Sequence, residues 1–387
     1  MKKIVAIGQK ESTLLQKLDF ALADLLSPDV DLQLKAGASL AYLTEKTTTR
    51  ELILRTPATI IALTDLFISL AQNIEPTEES TPQKKNNQYN ITRALTWLAQ
   101  NQDTHPHIIP AIPTLITLAS SLTSQTSSTQ QEDLILKYTI ETLAILAQNQ
   151  NTHTHLIPAI PTLITLASSL TSQTNRTQQE NLILQNTICI LTNLAQNQNT
   201  HTHLIPAIPT LITLASSLTS QTSRTQQENL ILQNTTILLA NLAQNHDTHT
   251  QLIPAIPALT KLVTSLSETY SQLSLEEKNT LAYAIFALAN LTKNQTARNI
   301  MISNGFIPAL TSLLVPIDNN KIQKIATFTL LRLAEKHDTR TQLIPAIPAL
   351  TRLVTSLSET YSQLSLEEKN TLAYATALKT LLENSDS

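Results

Sequence analysis

From Pro161 the chain reads PTLITLASSLTSQ, with Leu163, Ile164, Leu166, Ala167 and Leu170 recurring at intervals of three and four. That spacing predicts an amphipathic helix with one broad apolar face. Pro161 suits its first turn, where the missing N–H would have no intrahelical partner. The polar run TSQTNR breaks the pattern, and Thr177 with Glu180 then forms a capping-box pair in which each side chain satisfies an N–H at the start of the next helix. This helix is predicted over roughly Gln178 to Gln196. Its apolar residues, Ile183, Leu184, Ile188, Ile190, Leu191, Leu194 and Ala195, cover more than one face, as a helix packed between two neighbours requires. The segment QNQNTHTHLIPAI leaves room only for a helix of one or two turns before Pro206. One module is thus two long helices and a short one.

The module recurs. Residues 146–187 and 194–235 agree at 41 of 42 positions, differing only where Asn175 becomes Ser223. Ile-Pro-Ala-Ile-Pro returns at 109–113, 157–161, 205–209 and 253–257, always 48 residues on, and capping-box pairs recur at Thr129/Glu132, Thr225/Glu228, Ser274/Glu277 and Ser365/Glu368. Residues 246–284 reappear at 337–375 with two changes, His249/Arg340 and Lys261/Arg352. Such self-similarity predicts a stacked-repeat architecture in which each repeat buries its core against the next. The expected division is a tail over 1–11 and a single solenoid over 12–387, with repeats at about 12–56, 57–112, 113–160, 161–208, 209–256, 257–307, 308–347 and 348–387. A loop is expected at 73–88, where Pro, Ser, Thr and charges crowd together. Polar Glu383 to Ser387 give the last repeat the outward finish of a cap.

Composition narrows the function. With 42% apolar residues but 3 Gly and 3% aromatics, the chain is expected to be all-α. A formal net charge of −3 with 14% charged residues offers no basic stripe for nucleic acid. Between Leu98 and Thr250 the bases are Lys137, Arg176 and Arg224 against seven acids, so neither a strongly acidic nor a strongly basic peptide would be steered to that stretch. Cys189 is the only cysteine, which excludes a disulfide framework and a thiolate zinc cluster and points to a reducing, cytoplasmic compartment. Residues 4–8 are too short an apolar run for a signal-peptide core, and Leu156 to Leu170, interrupted by two prolines, falls short of the ~20 residues that span a bilayer. No membrane association is expected.

Residues 281–316, LAYAIFALANLTKNQTARNIMISNGFIPALTSLLVP, closely resemble an armadillo repeat, with Asn-Gly-Phe-Ile-Pro-Ala-Leu around Gly305 in the place of that family's link between its first and second helices. Residues 25–45, LLSPDVDLQLKAGASLAYLTE, are similar to its junction of second and third helices. The resemblance extends over nearly all of 12–382 and reaches distantly to solenoids of the importin-alpha and beta-catenin type. The 48-residue repeats depart from it by replacing the Gly turn with Pro-Ala-Ile-Pro and lengthening the link between long helices, which leaves HEAT-like geometry open for them. It implies a right-handed α-solenoid, a superhelix whose third helices line a groove for an extended peptide, with an Asn on each gripping the peptide backbone. The matching residues here are Asn193, Asn241 and Asn290. Asn186, Asn234, Tyr283 and Phe286, with Cys189 and Ile237, lie one and two turns earlier on the same stripes, and Arg332 occupies the Asn position of the following repeat. A side-chain amide offers both donor and acceptor, so a row of them can replace the hydrogen bonds a peptide loses on leaving water.

The reading that follows is a monomeric protein-interaction scaffold, not an enzyme, taking a partner protein or extended peptide. The alternative is a nuclear-transport adaptor of the importin-alpha type. The Trp positions of such a groove hold Cys189, Ile237 and Phe286, and its Asn positions elsewhere hold Tyr42, Trp97 and Ile145, which weakens recognition of Lys-rich cargo. Near-identical repeats duplicate every polar group, whereas an active site needs one asymmetric arrangement. Neither a catalytic residue nor a cofactor is expected. All nine histidines fall between the long helices, from His105 and His107 to His337; His-x-His pairs could form a metal-binding column, but no carboxylate or Cys accompanies them, and solvated turns are the favoured reading.

Overall fold

A computed structural model describes the chain except residues 1, 28, 73–81, 125–128, 174, 222, 316–318 and 384–387. It falls into two compact units, residues 1–194 and 195–387. The described residues contain helices and no strand. The first unit holds α1 Lys2–Leu25, α2 Val30–Thr44, α3 Thr47–Leu54, α4 Pro57–Gln72, α5 Pro82–Ala99, α6 His105–Ile108, α7 Ile112–Thr123, α8 Gln130–Ala147, α9 His153–Leu156, α10 Ile160–Ser172 and α11 Gln178–Leu194. The second holds α12 His201–Leu204, α13 Ile208–Ser220, α14 Gln226–Leu242, α15 His249–Leu252, α16 Ile256–Glu268 and α17 Leu275–Leu291. It continues with α18 Gln295–Ser303, α19 Phe306–Ser312, α20 Asn320–Ala334, α21 His337–Leu343, α22 Ile347–Glu359 and α23 Leu366–Glu383.

The repeating triplet of short, long and long helix is as expected. From α4 onward the second helices begin within two residues of Pro57, Pro113, Pro161, Pro209, Pro257, Pro308 and Pro348. The boxes at Thr129, Thr225 and Ser274 are formed in both directions, as are those at Thr177 and Ser365. At Thr129, burial of Glu132 is outweighed by hydrogen bonds from Thr129 and Lys85, so its carboxyl ionises below the usual range.

Three expectations are corrected. Residues 2–11 are not a tail but the first turns of α1. Residues 82–88 are not loop but the start of α5, which Pro82 opens; the rest of that expected loop, 73–81, lies outside the described residues, as does the polar finish after Glu383. Ile164, assigned to the inward stripe, is only half-buried.

Within each unit the third helices form one packed row: α2, α5, α8 and α11 in the first, α14, α17, α20 and α23 in the second. Each is backed by its own second helix, α10 behind α11 and α16 behind α17, for example. The core is the set of Leu, Ile and Ala between the rows, including Ile91, Leu95 and Leu98 on α5 and Leu281, Ile285 and Leu288 on α17, all at 0% exposure. A Thr-rich chain can bury many of its threonines because they bond their own helix: Thr92, Thr139, Thr187, Thr235 and Thr327 are fully buried and donate to the carbonyl four residues earlier. Thr96 and Thr142 hydroxyls also meet across α5 and α8 at 2.8 Å. Gly305, with φ 81°, takes the left-handed turn between α18 and α19 that a side chain resists.

Third helices α5, α8, α14 and α20 end in a paired cap built from the module's last polar residues. Thr104 and His105 donate to the carbonyls of Leu98 and Ala99, six residues back in each case, at 2.8 Å each. Thr152 and His153 do the same for Leu146 and Ala147, and Thr248 and His249 for Leu242 and Ala243. His201 caps Ala195, while Arg298 and Arg340 replace the imidazole in later repeats and reach Thr292 and Ala334. A carbonyl only accepts, so Nε2 carries the proton in all four histidines. At His105 the remaining Nδ1 meets the Asn149 amide of the next repeat at 3.2 Å.

These caps correct the reading of the histidines as solvated. His105, His153, His201 and His249 are buried, each with one ring nitrogen committed to a carbonyl, whereas His155, His203, His246 and His337 are exposed. Among the described residues no group of three or more potential metal ligands is brought together. Burial holds His249 below its ordinary pKa, aided by His246, Lys293 and Arg332 and opposed by its bond to Ala243. A lowered folded value means the unfolded chain binds more protons. The resulting stability is present above about pH 6.5 and is lost as pH falls through the lowered value. Urea midpoints at pH 7 and pH 5 should therefore show acid destabilisation with a slope of up to about 1.4 kcal/mol per pH unit from this group. His249→Gln, whose amide can still donate to Ala243, should remove that part of the slope; an unchanged slope would contradict the assignment.

Candidate peptide-binding surface

The side of each third helix turned away from its second helix is a half-exposed stripe with three- and four-residue spacing. On α11 in the first unit it carries Asn186, Cys189 and Asn193, all half-buried. The Asn193 amide lies 3.7 Å from Cys189 Sγ. Burial, opposed by this contact, raises the thiol's pKa.

The second unit brings the remaining expected residues onto adjacent helices. Asn234, Ile237 and Asn241 follow one another along α14, then Tyr283, Phe286 and Asn290 along α17, with Arg332 at the corresponding place on α20. Phe286 is 36% exposed. Asn241 accepts from Gln244 at 3.4 Å. The Asn290 amide nitrogen is buried and meets no acceptor among the described residues. An orphaned donor of this kind costs about 1–3 kcal/mol. Asn186 and Asn193 belong to the other unit and share this register there.

Sequence reasoning placed Tyr42 on α2 and Trp97 on α5 at Asn positions of the stripes but missed the residues around them. In the first unit these are Tyr89 and Arg93 on α5 and Tyr138 and Glu141 on α8. Tyr89 and Tyr138 meet edge to face with ring centres 5.7 Å apart. Arg50 lies over Trp97 at 5.3 Å, Arg93 over Tyr89 at 5.2 Å and Lys46 over Tyr42 at 5.3 Å. Arg93 is also paired with Glu45 at 3.3 Å. Burial raises the pKa of Glu141 against the pull of Lys137. In the second unit Phe328 packs on Tyr374 with centres 5.2 Å apart, and Arg332 covers Phe328 at 5.6 Å. The signal was available: these residues sit at the same offsets as the asparagines, and only the search for Asn passed over them.

A separate apolar concavity of about 580 Å³ lies at the Ile-Pro-Ala-Ile-Pro ridge of the second unit, between Ile205, Pro206, Pro209, Ile212 and Pro254. Among the described residues no helix is long and apolar enough to cross a membrane.

Helices in short-long-long triplets, with third helices in a row, define the chain as an α-solenoid of the armadillo type. Solved structures agree. An engineered protein from a structural genomics consortium superposes with a TM-score of 0.62 over 96% of this chain and 92% of its own, at 18% identity. A designed armadillo repeat protein gives 0.51 over 70% of this chain and 99% of its own, at 23% identity. A chain from a structure concerned with a phosphorylation switch in the interaction between cadherin and beta-catenin gives 0.60 over 99% of this chain and 78% of its own, at 13% identity. No family model matches the sequence, and no curated protein is significantly similar to it.

Proposed function

We propose that the chain is a non-enzymatic protein-binding scaffold whose third-helix stripe takes an extended peptide segment of a partner. The observation that carries this reading is Asn290, a buried amide donor with no acceptor, one helix away from Asn241 in the same register. Helices packed ~8–10 Å apart space such amides at about every second or third residue of an extended chain. Tyr283 and Phe286 on α17 and Ile237 on α14 supply the apolar surface between them, as peptide recognition by strand-like segments requires. Asn186 and Asn193 on α11 offer the same chemistry in the first unit. The solved structure concerned with cadherin and beta-catenin supports the reading by analogy, since its subject is a protein partnership.

Import of Lys-rich cargo is the weaker alternative. The one tryptophan stripe position, Trp97, already carries Arg50 against its ring, and Tyr89 and Tyr42 carry Arg93 and Lys46. A cationic side chain from a cargo would have to displace these to gain a cation–π contact.

The test is selection of peptides from a random library on the full chain, then titration of the selected peptide against Asn241→Ala and Asn290→Ala. Loss of one backbone hydrogen bond should weaken binding about tenfold per substitution. Undiminished affinity in both variants would remove the amide ladder.

A further inference from the structure

The second unit's stripe has a chemical bias that the asparagines alone do not explain. Residues 290–340 contain seven bases and three acids, in a chain whose net charge is −3. Several of those bases are already engaged. Arg298 donates to Asp338 at 3.0 Å and to the carbonyls of Thr292 and Lys293, Lys324 pairs with Glu367 at 3.2 Å, and Arg340 donates to Ala334 at 2.8 Å. Among the described residues Lys293, Lys321, Arg332 and Lys336 form no ion pair, and of these Lys293 and Arg332 lie next to the asparagine stripe.

Both hold positions related to the orphaned amide. Lys293 is exposed and lies three residues beyond Asn290, past the end of α17, and Arg332 holds the position of Asn290 on the neighbouring α20. Arg332 rests over the Phe328 ring at 5.6 Å. On the α14 side the stacked rings of His246 and His249, 4.9 Å apart, flank the group. Lys293 and Arg332 both act on His249, each adding to the effect of burial in disfavouring its proton. The acids nearest in sequence are Asp247 and Glu335, both exposed, and Asp338, which Arg298 holds.

A buried donor without an acceptor and two unpaired cations call for a group that only accepts. An ionised oxyanion is such a group, and its charge-assisted hydrogen bonds are about twice as strong as neutral ones. We infer that Asn290, Lys293 and Arg332 form a subsite for an oxyanion, a carboxylate or phosphate carried by the side chain of an extended partner peptide. This rests on the peptide-binding reading above and adds the partner's chemistry to it: an acidic segment.

The test is fluorescence anisotropy of the full chain with four labelled peptides of alternating sequence: Ser-Glu, Ser-Gln, Ser-Lys and one with phosphoserine in the Glu positions. The Ser-Glu or phosphoserine peptide should bind at least about tenfold more tightly than Ser-Gln at low salt, and the gap should close as added salt screens the charges. Whichever acidic peptide binds more tightly identifies the oxyanion source. The double variant K293A/R332A, checked by circular dichroism for an unchanged melt, should bring the acidic peptide down to the Ser-Gln level. Equal binding of Ser-Glu, phosphoserine and Ser-Gln peptides, no detectable binding of either acidic peptide, or an acidic preference that survives K293A/R332A would overturn the subsite. Asn241→Ala separates the two claims. If it weakens all peptides alike while no acidic preference exists, the peptide surface stands and the subsite falls. If it changes nothing while K293A/R332A abolishes the preference, the subsite stands without the ladder.

Discussion

Leu194→Ala should lower the stability of the full chain by about 2–5 kcal/mol, read as a shift in the urea midpoint at constant slope. Leu194 ends α11 at 0% exposure, so truncation removes its transfer energy and leaves a cavity that neighbouring helices can fill only in part. Asn193, the preceding residue, is half-buried on the outward stripe, and Asn193→Ala should change stability by no more than about 0.5 kcal/mol. The contrast between adjacent positions is the useful part, because it separates packing from surface on one helix turn. A Leu194→Ala loss under about 1 kcal/mol would contradict the assignment of this residue to the core.

Arg298→Met should cost about 2–3 kcal/mol, whereas Asp338→Asn should cost no more than about 1 kcal/mol. The two residues form one ion pair at 3.0 Å, but their environments differ: the Arg298 side chain is 7% exposed and Asp338 36%. The guanidinium also donates to the Thr292 carbonyl at 3.0 Å, taking the place of the histidine cap used in earlier repeats. Removing it leaves that buried carbonyl without a donor, while Asn at 338 can still accept and the lost charge is partly screened by water. The cap should therefore outweigh the ion pair. Equal losses in thermal and urea unfolding of the two variants would show that the ion pair dominates.

The architecture was legible because the repeated 48-residue segments announce modules, and within them Pro161, the Thr177/Glu180 box and the apolar spacing each mark a helix end or face. The third-helix register could be read from Asn193, Asn241 and Asn290 in the same way. What was not legible has three physical causes. The buried threonines were left out of the predicted apolar faces because nothing local shows that Thr187 will donate to Ile183 inside a packed row. The histidines read as turn residues because the partner of His153 is six residues back, an offset belonging to neither helix nor strand periodicity; the constant interval from Leu-Ala to Thr-His in every copy was the signal. The start of α5 was hidden because QKKNNQ is weakly apolar, and its helicity comes from Pro82 at the first turn and from burial of Asn87 and Gln88. Arg332 was placed on the stripe, but the excess of positive charge around it escaped notice for another reason: charge was judged over 98–250, and the bias lies beyond it.

Hydrogen–deuterium exchange on the full chain, with and without a library-selected peptide, tests most directly whether the third-helix stripe is the working surface. The expected result is added protection along α14, α17 and α20, with α13, α16 and α19 unchanged. Protection confined to those second helices, or to the Ile205–Pro209 ridge, would contradict it.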